Sequence, residues 1–115
     1  MGLDQTWLVK DKRADEADEL HYHRKVPALE AFMAAKWHAI KGNEDKTFNC
    51  QILEIDHQIL DELREAVATS NLDTEATGFF WGDYRPEDNS DILAAVEKAR
   101  RELEQGREVA YTSWW

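Results

Sequence analysis

Two histidines, His21 and His23, flank Tyr22, and their spacing comes nearest to a reactive site in this chain. In an extended segment both rings project to one side, because side chains alternate between the two faces of a strand. With a third ligand such as His38, His57 or a nearby carboxylate, the pair could in principle bind a divalent metal ion. The sequence spacing places no third ligand beside His21 and His23. Neutral imidazole is also common as a partly buried hydrogen-bonding group that binds no metal. We therefore predict neither a metal site nor another cofactor.

Nucleophilic catalysis requires a serine, threonine or cysteine that a neighbouring base activates, and no candidate here has that context. The single cysteine, Cys50, lies in an apolar segment, where inert packing is the usual fate. Ser90 fits the cap of a helix, and Ser70 and Ser113 lack a nucleophile turn. The glycines at positions 78 and 82 enclose bulky aromatics with no Gly-Lys-Ser/Thr sequence after them, so they do not form a phosphate loop. These residues favour a protein that is not an enzyme.

Carboxylates gather after the aromatic run and at the start of the last predicted helix, at Asp83, Glu87, Asp88 and Asp91. Such a cluster suits general acid–base catalysis or metal binding at the mouth of a pocket. Acidic residues are also favoured in the first turn of a helix, where they interact with the helix dipole. We favour this second explanation, a solvated loop and helix N-terminus.

Local patterns predict alternating strands and helices. Pro27 suits the first turn of a helix, apolar residues then recur at helical spacing, and Gly42 ends the pattern. Asp56 can cap a second amphipathic helix. The predicted elements are a strand over 6–9, a helix or loop over 14–19, a helix over 27–42, a strand over 48–55, a helix over 57–69, a short strand over 78–82, a helix from Asn89 or Ser90 to Gly106, and a strand over 109–114.

These elements predict a single α+β domain over residues 1–115. A small mixed sheet of three to four strands, covered by about three helices, accommodates them. The helical connections permit parallel crossovers, but short strands also fit antiparallel pairing, so the strand order stays open.

Composition limits the partners. The chain has 24 acidic and 14 basic residues and a net charge of -10, which disfavours direct contact with nucleic-acid phosphates or an anionic membrane. No apolar stretch approaches the roughly 20 residues that a membrane-spanning helix needs, and no secretory signal is recognisable. One cysteine permits no internal disulfide. We expect a cytosolic protein.

Aromatic residues are the most distinctive feature of the sequence. Three of them, Phe79, Phe80 and Trp81, lie between two glycines and predict a short buried strand, with Asp83 at its exposed edge. Trp7, Trp37 and Trp81 are expected in the core, whereas Trp114 and Trp115 fit either packing or a partner surface, because aromatics are enriched in both.

Several segments together resemble a family of small phage and prophage proteins of uncharacterised function. They are the opening Met1-Gly2-Leu3-Asp4, the block from Tyr22 to Lys25, the Phe48-Asn49-Cys50 segment, the run from Gly78 to Gly82 and the final Ser113-Trp114-Trp115. Members commonly have tryptophan at the position of His23, phenylalanine at that of Trp81 and proline at that of Asp73. The resemblance spans nearly the whole chain and implies a phage or prophage origin and action in the host bacterial cytoplasm.

The leading hypothesis is a non-catalytic accessory protein that binds a host or phage protein through aromatics near Trp81 or at Trp114 and Trp115. Its role would be host modulation or counter-defence, and a sharper variant is mimicry of nucleic acid by the acidic surface. This variant predicts binding that weakens steeply with salt.

Two alternatives come from other classes. A small enzyme or ligand-binding domain would need a pocket where Tyr22, His23, Arg24, Trp81 and Asp83 converge. A virion assembly component would form symmetric oligomers in solution. The oligomeric state is not predicted.

Overall fold

The computed structural model describes residues 2–42, 47–69, 72, 85 and 87–115, and they form an α+β fold. Within these residues there are four strands and three helices, which confirms the predicted class. The elements are β1 (Asp4–Lys10), β2 (Asp18–Arg24), α1 (Pro27–Lys41), β3 (Ile52–Ile55), α2 (His57–Ala68), α3 (Asp88–Glu104) and β4 (Glu108–Trp114). The predicted strand over 78–82, with Trp81, lies outside the described residues.

The four strands form one sheet in the order β2-β1-β4-β3. Each of the three pairs is antiparallel. At the centre of the sheet, Trp7 of β1 lies opposite His21 of β2 and Tyr111 of β4. A bulge between Trp7 and Leu8 shifts the β1–β2 register by one residue, so Leu8 lies opposite Glu19.

The sheet buries one face and leaves the other accessible. On β4, Val109, Tyr111 and Ser113 are buried, while the residues between them are more exposed. Trp7 is fully buried, and its ring meets that of Tyr111 edge to face at 5.7 Å. The three helices complete one core on this inner face, because apolar residues of all three join the same buried cluster as the inner sheet residues.

Helix ends follow the predicted signals closely. Pro27 opens α1, and Gly42 closes it with a φ of 64°, a conformation that glycine adopts without a Cβ clash. The Asp56 side chain accepts a hydrogen bond of 2.8 Å from the Ile59 N–H and so caps α2. The start of α3 differs from the prediction: the helix begins at Asp88, so Ser90 lies inside its first turn and is not the cap.

The segment over 48–55 is a turn followed by a short strand, not one strand. Only Ile52–Ile55 pair with β4. Phe48 still packs in the core, stacked on Tyr111 at 5.9 Å, but Cys50 is exposed and has a φ of 63°. The Cys50 N–H donates to the Ser113 carbonyl at 2.8 Å. The prediction of a buried, inert Cys50 was therefore wrong, because the turn reverses the side-chain alternation.

No described helix is long and apolar enough to cross a membrane.

A buried carboxyl group, that of Glu30 in α1, connects the helix to the sheet. Its two oxygens accept hydrogen bonds from the Tyr111 hydroxyl at 2.7 Å and the Ser113 hydroxyl at 2.6 Å. Gln5 extends the network by donating to the Tyr111 oxygen and to the Val26 carbonyl. Burial raises the pKa of Glu30, although the two hydroxyl donors oppose the shift.

Glu30→Gln is expected to stabilise the protein at neutral and higher pH. Because the folded pKa of Glu30 is raised, its contribution is fully present below the pKa of the unfolded chain and is lost as the pH rises through the folded value. A neutral amide accepts from one hydroxyl and donates to the oxygen of the other, so it keeps both partners and removes this loss. Urea unfolding should give a gain of about 1 kcal/mol near pH 8 that vanishes near pH 4. A variant that is less stable than the wild type at both pH values would contradict the assignment.

Candidate functional site

The two predicted histidines meet a carboxylate from a distant helix. His21 and His23 project from β2 toward the inner face, and Asp91 lies in the first turn of α3. The Asp91 carboxylate contacts His21 Nε2 at 2.7 Å through Oδ1 and His23 Nδ1 at 2.5 Å through Oδ2. His23 is 2% exposed, whereas Asp91 is partly exposed. One carboxylate thus joins a buried ring to a ring nearer the surface.

The outer nitrogens of the two rings face donors. Trp7 Nε1 donates to His23 Nε2 at 2.9 Å, and Lys98 Nζ lies 3.0 Å from His21 Nδ1. Indole N–H and the lysine ammonium group have no acceptor function, so each of these ring nitrogens must supply a lone pair. The proton of each neutral ring then lies on the inner nitrogen, and both His21 and His23 donate to Asp91.

The pKa shifts of His23 and Asp91 agree with this arrangement. Burial lowers the pKa of His23 from its ordinary value of 6.5, outweighing the opposite effect of Asp91. Burial also opposes ionisation of Asp91, but the N–H donors of His21 and His23 outweigh it and lower the pKa of the carboxyl group. Near neutral pH the cluster therefore combines an ionised Asp91 with a neutral His23.

This donor arrangement does not fit a metal ion, although the three ligand atoms lie within 4.8 Å of one another. A histidine that binds a metal through one nitrogen normally carries a proton on the other and donates it to a carboxylate, a carbonyl or water. His23 has the reverse arrangement, because Trp7 donates to its outer nitrogen. Metal binding at Nδ1 would require removal of the last ring proton. The cluster is better explained as a set of satisfied hydrogen bonds.

Asp91→Asn is expected to lower the free energy of unfolding by about 1–3 kcal/mol near pH 7.5. The asparagine oxygen can accept one imidazole N–H, but its NH₂ group must face the other, and His23 is too buried for water to replace the bond. Urea unfolding measures the loss. Asp15→Asn is the matched control because Asp15 is exposed in the β1–β2 turn, and equal stability of the two variants would contradict the role of Asp91.

The sequence-predicted block at Tyr22, His23 and Arg24 is divided between the two faces of the sheet. His23 points into the core, whereas Tyr22 is 45% exposed and Arg24 is exposed. Tyr22 donates its hydroxyl proton to Asp4 on the neighbouring strand. The three side chains therefore do not converge on one cavity. Trp81 and Asp83, the other members of that predicted pocket, lie outside the described residues.

The two C-terminal tryptophans have different environments. Trp114 is 62% exposed on the outer face of β4. Trp115 packs partly against the core, and its backbone is held by Asn49, whose side chain accepts from the Trp115 N–H and donates to its carbonyl, both at 3.0 Å. Trp114 alone of the pair thus offers a large accessible aromatic surface.

The outer face of the sheet carries other accessible apolar side chains. One row across the four strands consists of Tyr22, Thr6, Thr112 and Ile52. The Ile52 side chain in this row is 56% exposed. Trp114 follows two residues after Thr112 on β4, on the same face. We call this region the outer patch: Tyr22, Thr6, Thr112, Ile52 and Trp114.

A cavity of about 560 Å³ opens beside the outer patch, at the end of the sheet where β4 begins. Leu8, Ile52 and Ala110 supply apolar wall from the outer face. Charged residues of both signs also line the cavity, among them Lys10, Lys12, Glu54, Arg107 and Glu108. The volume lies within the range that accommodates a small ligand or a large side chain of a partner.

Trp7 and Trp37 are buried as predicted, at 0% and 4% exposure. The participation of Asp91 was missed, because sequence reasoning placed it in a solvated helix start. It lies 68 positions from His23 along the chain, and no local signal joins them.

A scan against protein-family models matched none of them, and searches of curated proteins and of solved structures also found no match.

Proposed function

We propose that this protein acts without catalysis, by binding another protein through the outer patch. The observation that carries the proposal is the position of Trp114, which is 62% exposed on the outer face of the sheet. The helices pack against the opposite, inner face. Tyr22 and Ile52 extend the accessible apolar area on the same face. Exposed aromatic residues of this kind often supply most of the binding energy at an interface.

The partner we propose has an apolar centre and a basic rim. Asp4, Glu54 and Glu108 border the outer patch on the same face as Arg24 and Lys10, and the chain as a whole has a net charge of -10. Such a charge attracts a basic surface and raises the association rate. The neighbouring cavity can receive an apolar side chain of the partner against Leu8 and Ala110.

The resemblance to phage and prophage proteins suggests the setting. An accessory protein of this type would occupy a host protein in the bacterial cytoplasm and modulate it or counter a defence. If that host protein normally binds nucleic acid, the acidic border would compete for its basic site. Tyr22 and Arg24 face away from His23, so a shared catalytic pocket for these residues is disfavoured.

The test begins by capturing proteins that bind this chain from a bacterial lysate. Its outcome is then measured with the chain and one purified binding partner. A captured protein is identified, produced separately and titrated against the wild type and Glu54→Gln over a salt series. We expect binding to weaken with salt and Glu54→Gln to reduce the salt dependence, because one acidic group near the interface is removed. If the affinity of the purified partner changes neither with salt nor with Glu54→Gln, the proposed basic rim of the partner is contradicted.

A second variant tests whether a side chain of the partner enters the cavity. Ala110→Trp places a large ring in the cavity while leaving Trp114 in place. Because Ala110 lies on the outer face, we expect the variant to fold and to bind the purified partner at least about tenfold more weakly, by steric exclusion of an anchoring side chain. Symmetric oligomers of the free protein, detected by light scattering, would instead favour an assembly role.

A further inference from the structure

The hydrogen bonds around Asp91 join three elements in one chain of donors and acceptors. Trp7 of β1 donates to His23, His23 and His21 of β2 donate to Asp91 of α3, and Lys98 of α3 donates to His21. Both nitrogens of both rings are occupied. An additional proton therefore has no free position in the chain.

We propose that these five residues form an acid-sensitive latch, which holds the start of α3 against β2 at neutral pH and releases it when a histidine is protonated. The latch is independent of the outer patch, because it lies on the opposite face of the sheet.

Protonation of His23 would place two donors against each other. The new proton would lie on Nε2, which is 2.9 Å from the Trp7 indole nitrogen, and the site is almost completely buried. An indole N–H cannot rotate to become an acceptor. One of the two groups must then lose its hydrogen bond in a site that water does not reach, unless the strand or the helix moves.

Protonation of His21 would bring two cations together. Its new proton would lie on Nδ1, 3.0 Å from the Lys98 ammonium nitrogen. In an ordinary histidine–aspartate pair, protonation creates an ion pair and strengthens the contact. In the latch the N–H of His21 that faces Asp91 is already in place, so protonation adds charge attraction to that existing bond but leaves the new Nδ1 proton against Lys98.

The charged groups that face His23 are Asp91 and Lys98 from α3 and His21 from its own strand. Asp91 favours the imidazolium form, while burial, His21 and Lys98 disfavour it and together lower the pKa of His23. The folded pKa is below that of the unfolded chain, so the stabilising contribution is present above the unfolded value and is lost as the pH falls toward the folded value.

Release should be local. β2 is an edge strand that pairs only with β1 among the described strands. Helix α3 keeps its core contacts through Ile92, Val96 and Ala99, which lie in the common buried cluster. Separation of β2 from the first turn of α3 therefore requires less than unfolding of the whole domain.

Nuclear magnetic resonance tests the proton positions and the release in one labelled sample of the full chain. Near pH 7.5, long-range nitrogen–proton correlations should show the proton of His23 on Nδ1 and that of His21 on Nε2. Between about pH 7.5 and about pH 5, amide exchange of Tyr22 to Arg24 and of Ile92, corrected for intrinsic rates, should accelerate about tenfold or more. Tyr111 and Thr112 in the sheet centre should change little.

Lys98→Met and Lys98→Arg separate the latch from general acid unfolding. Lys98 is exposed, so both variants should fold. Methionine removes the cation that faces His21, lets its Nδ1 proton reach solvent and should reduce the acid-induced acceleration, whereas arginine should preserve it. The proposal is overturned by the opposite ring protonation or by equal acceleration at Tyr111. An unchanged acid response in Lys98→Met would overturn the contribution of the His21–Lys98 contact to the latch.

Discussion

Trp7→Ala is expected to lower the free energy of unfolding by about 3–5 kcal/mol, a large share of the roughly 5–15 kcal/mol typical of a domain. Trp7 is fully buried at the centre of the sheet and contacts Tyr111 edge to face. Its removal creates a cavity under the three helices and also leaves His23 Nε2 without its donor. Urea unfolding followed by circular dichroism measures the loss.

The chain supplies a matched control with the same substitution. Trp114→Ala removes an equally large side chain from a position that is 62% exposed, and we expect a change within about 1 kcal/mol. Trp7→Phe retains most of the ring volume but not the N–H, so its loss should be intermediate. Equal destabilisation by Trp7→Ala and Trp114→Ala would show that the faces of the sheet are wrongly assigned.

Trp114→Ala should have its main effect on binding. At the centre of an interface, truncation of a tryptophan commonly costs about 2 kcal/mol or more, which corresponds to a roughly 30-fold weaker Kd. We expect a loss of this size against the purified partner, measured by calorimetry, with the unfolding curve close to that of the wild type.

Ile40→Ala is the control for this loss. Ile40 is 61% exposed, but it lies on α1 and not on the outer face of the sheet. Truncating it removes exposed apolar surface elsewhere and should leave Kd unchanged within about twofold. If Ile40→Ala weakens binding while Trp114→Ala does not, the partner binds the helical side and the outer patch is not the interface.

The sequence predicted the helices better than the strands, because helix limits are encoded locally. Pro27, Gly42 and Asp56 act on their own backbone neighbourhood, and all three mark helix ends in the structure as expected. The buried positions of Trp7 and Trp37 also agree with expectation. For Trp114 the sequence left packing and a partner surface open, and the structure shows that its side chain is exposed.

The missed features depend on contacts between distant segments. β2 reads as an acidic stretch followed by His21-Tyr22-His23, and it becomes a strand because β1 supplies its hydrogen bonds. Similarly, Asp91 has the pattern of an ordinary helix start, and only the packing of α3 on β2 gives it two imidazole partners. Local propensity carries no information about either pairing.

The position of β4 in the sheet has a consequence for the order of folding. The β1–β2 hairpin can form early, because a short turn joins its strands. The central β1–β4 pair cannot, because it unites segments such as Gln5 and Tyr111 that are 106 positions apart. Closing so long a loop lowers the entropy of the chain before the Trp7–Tyr111 contact forms and offsets that cost. We therefore expect the pairing of β4 with β1 to be the main contribution to the folding barrier. This pairing completes the middle of the sheet after the β1–β2 hairpin has formed.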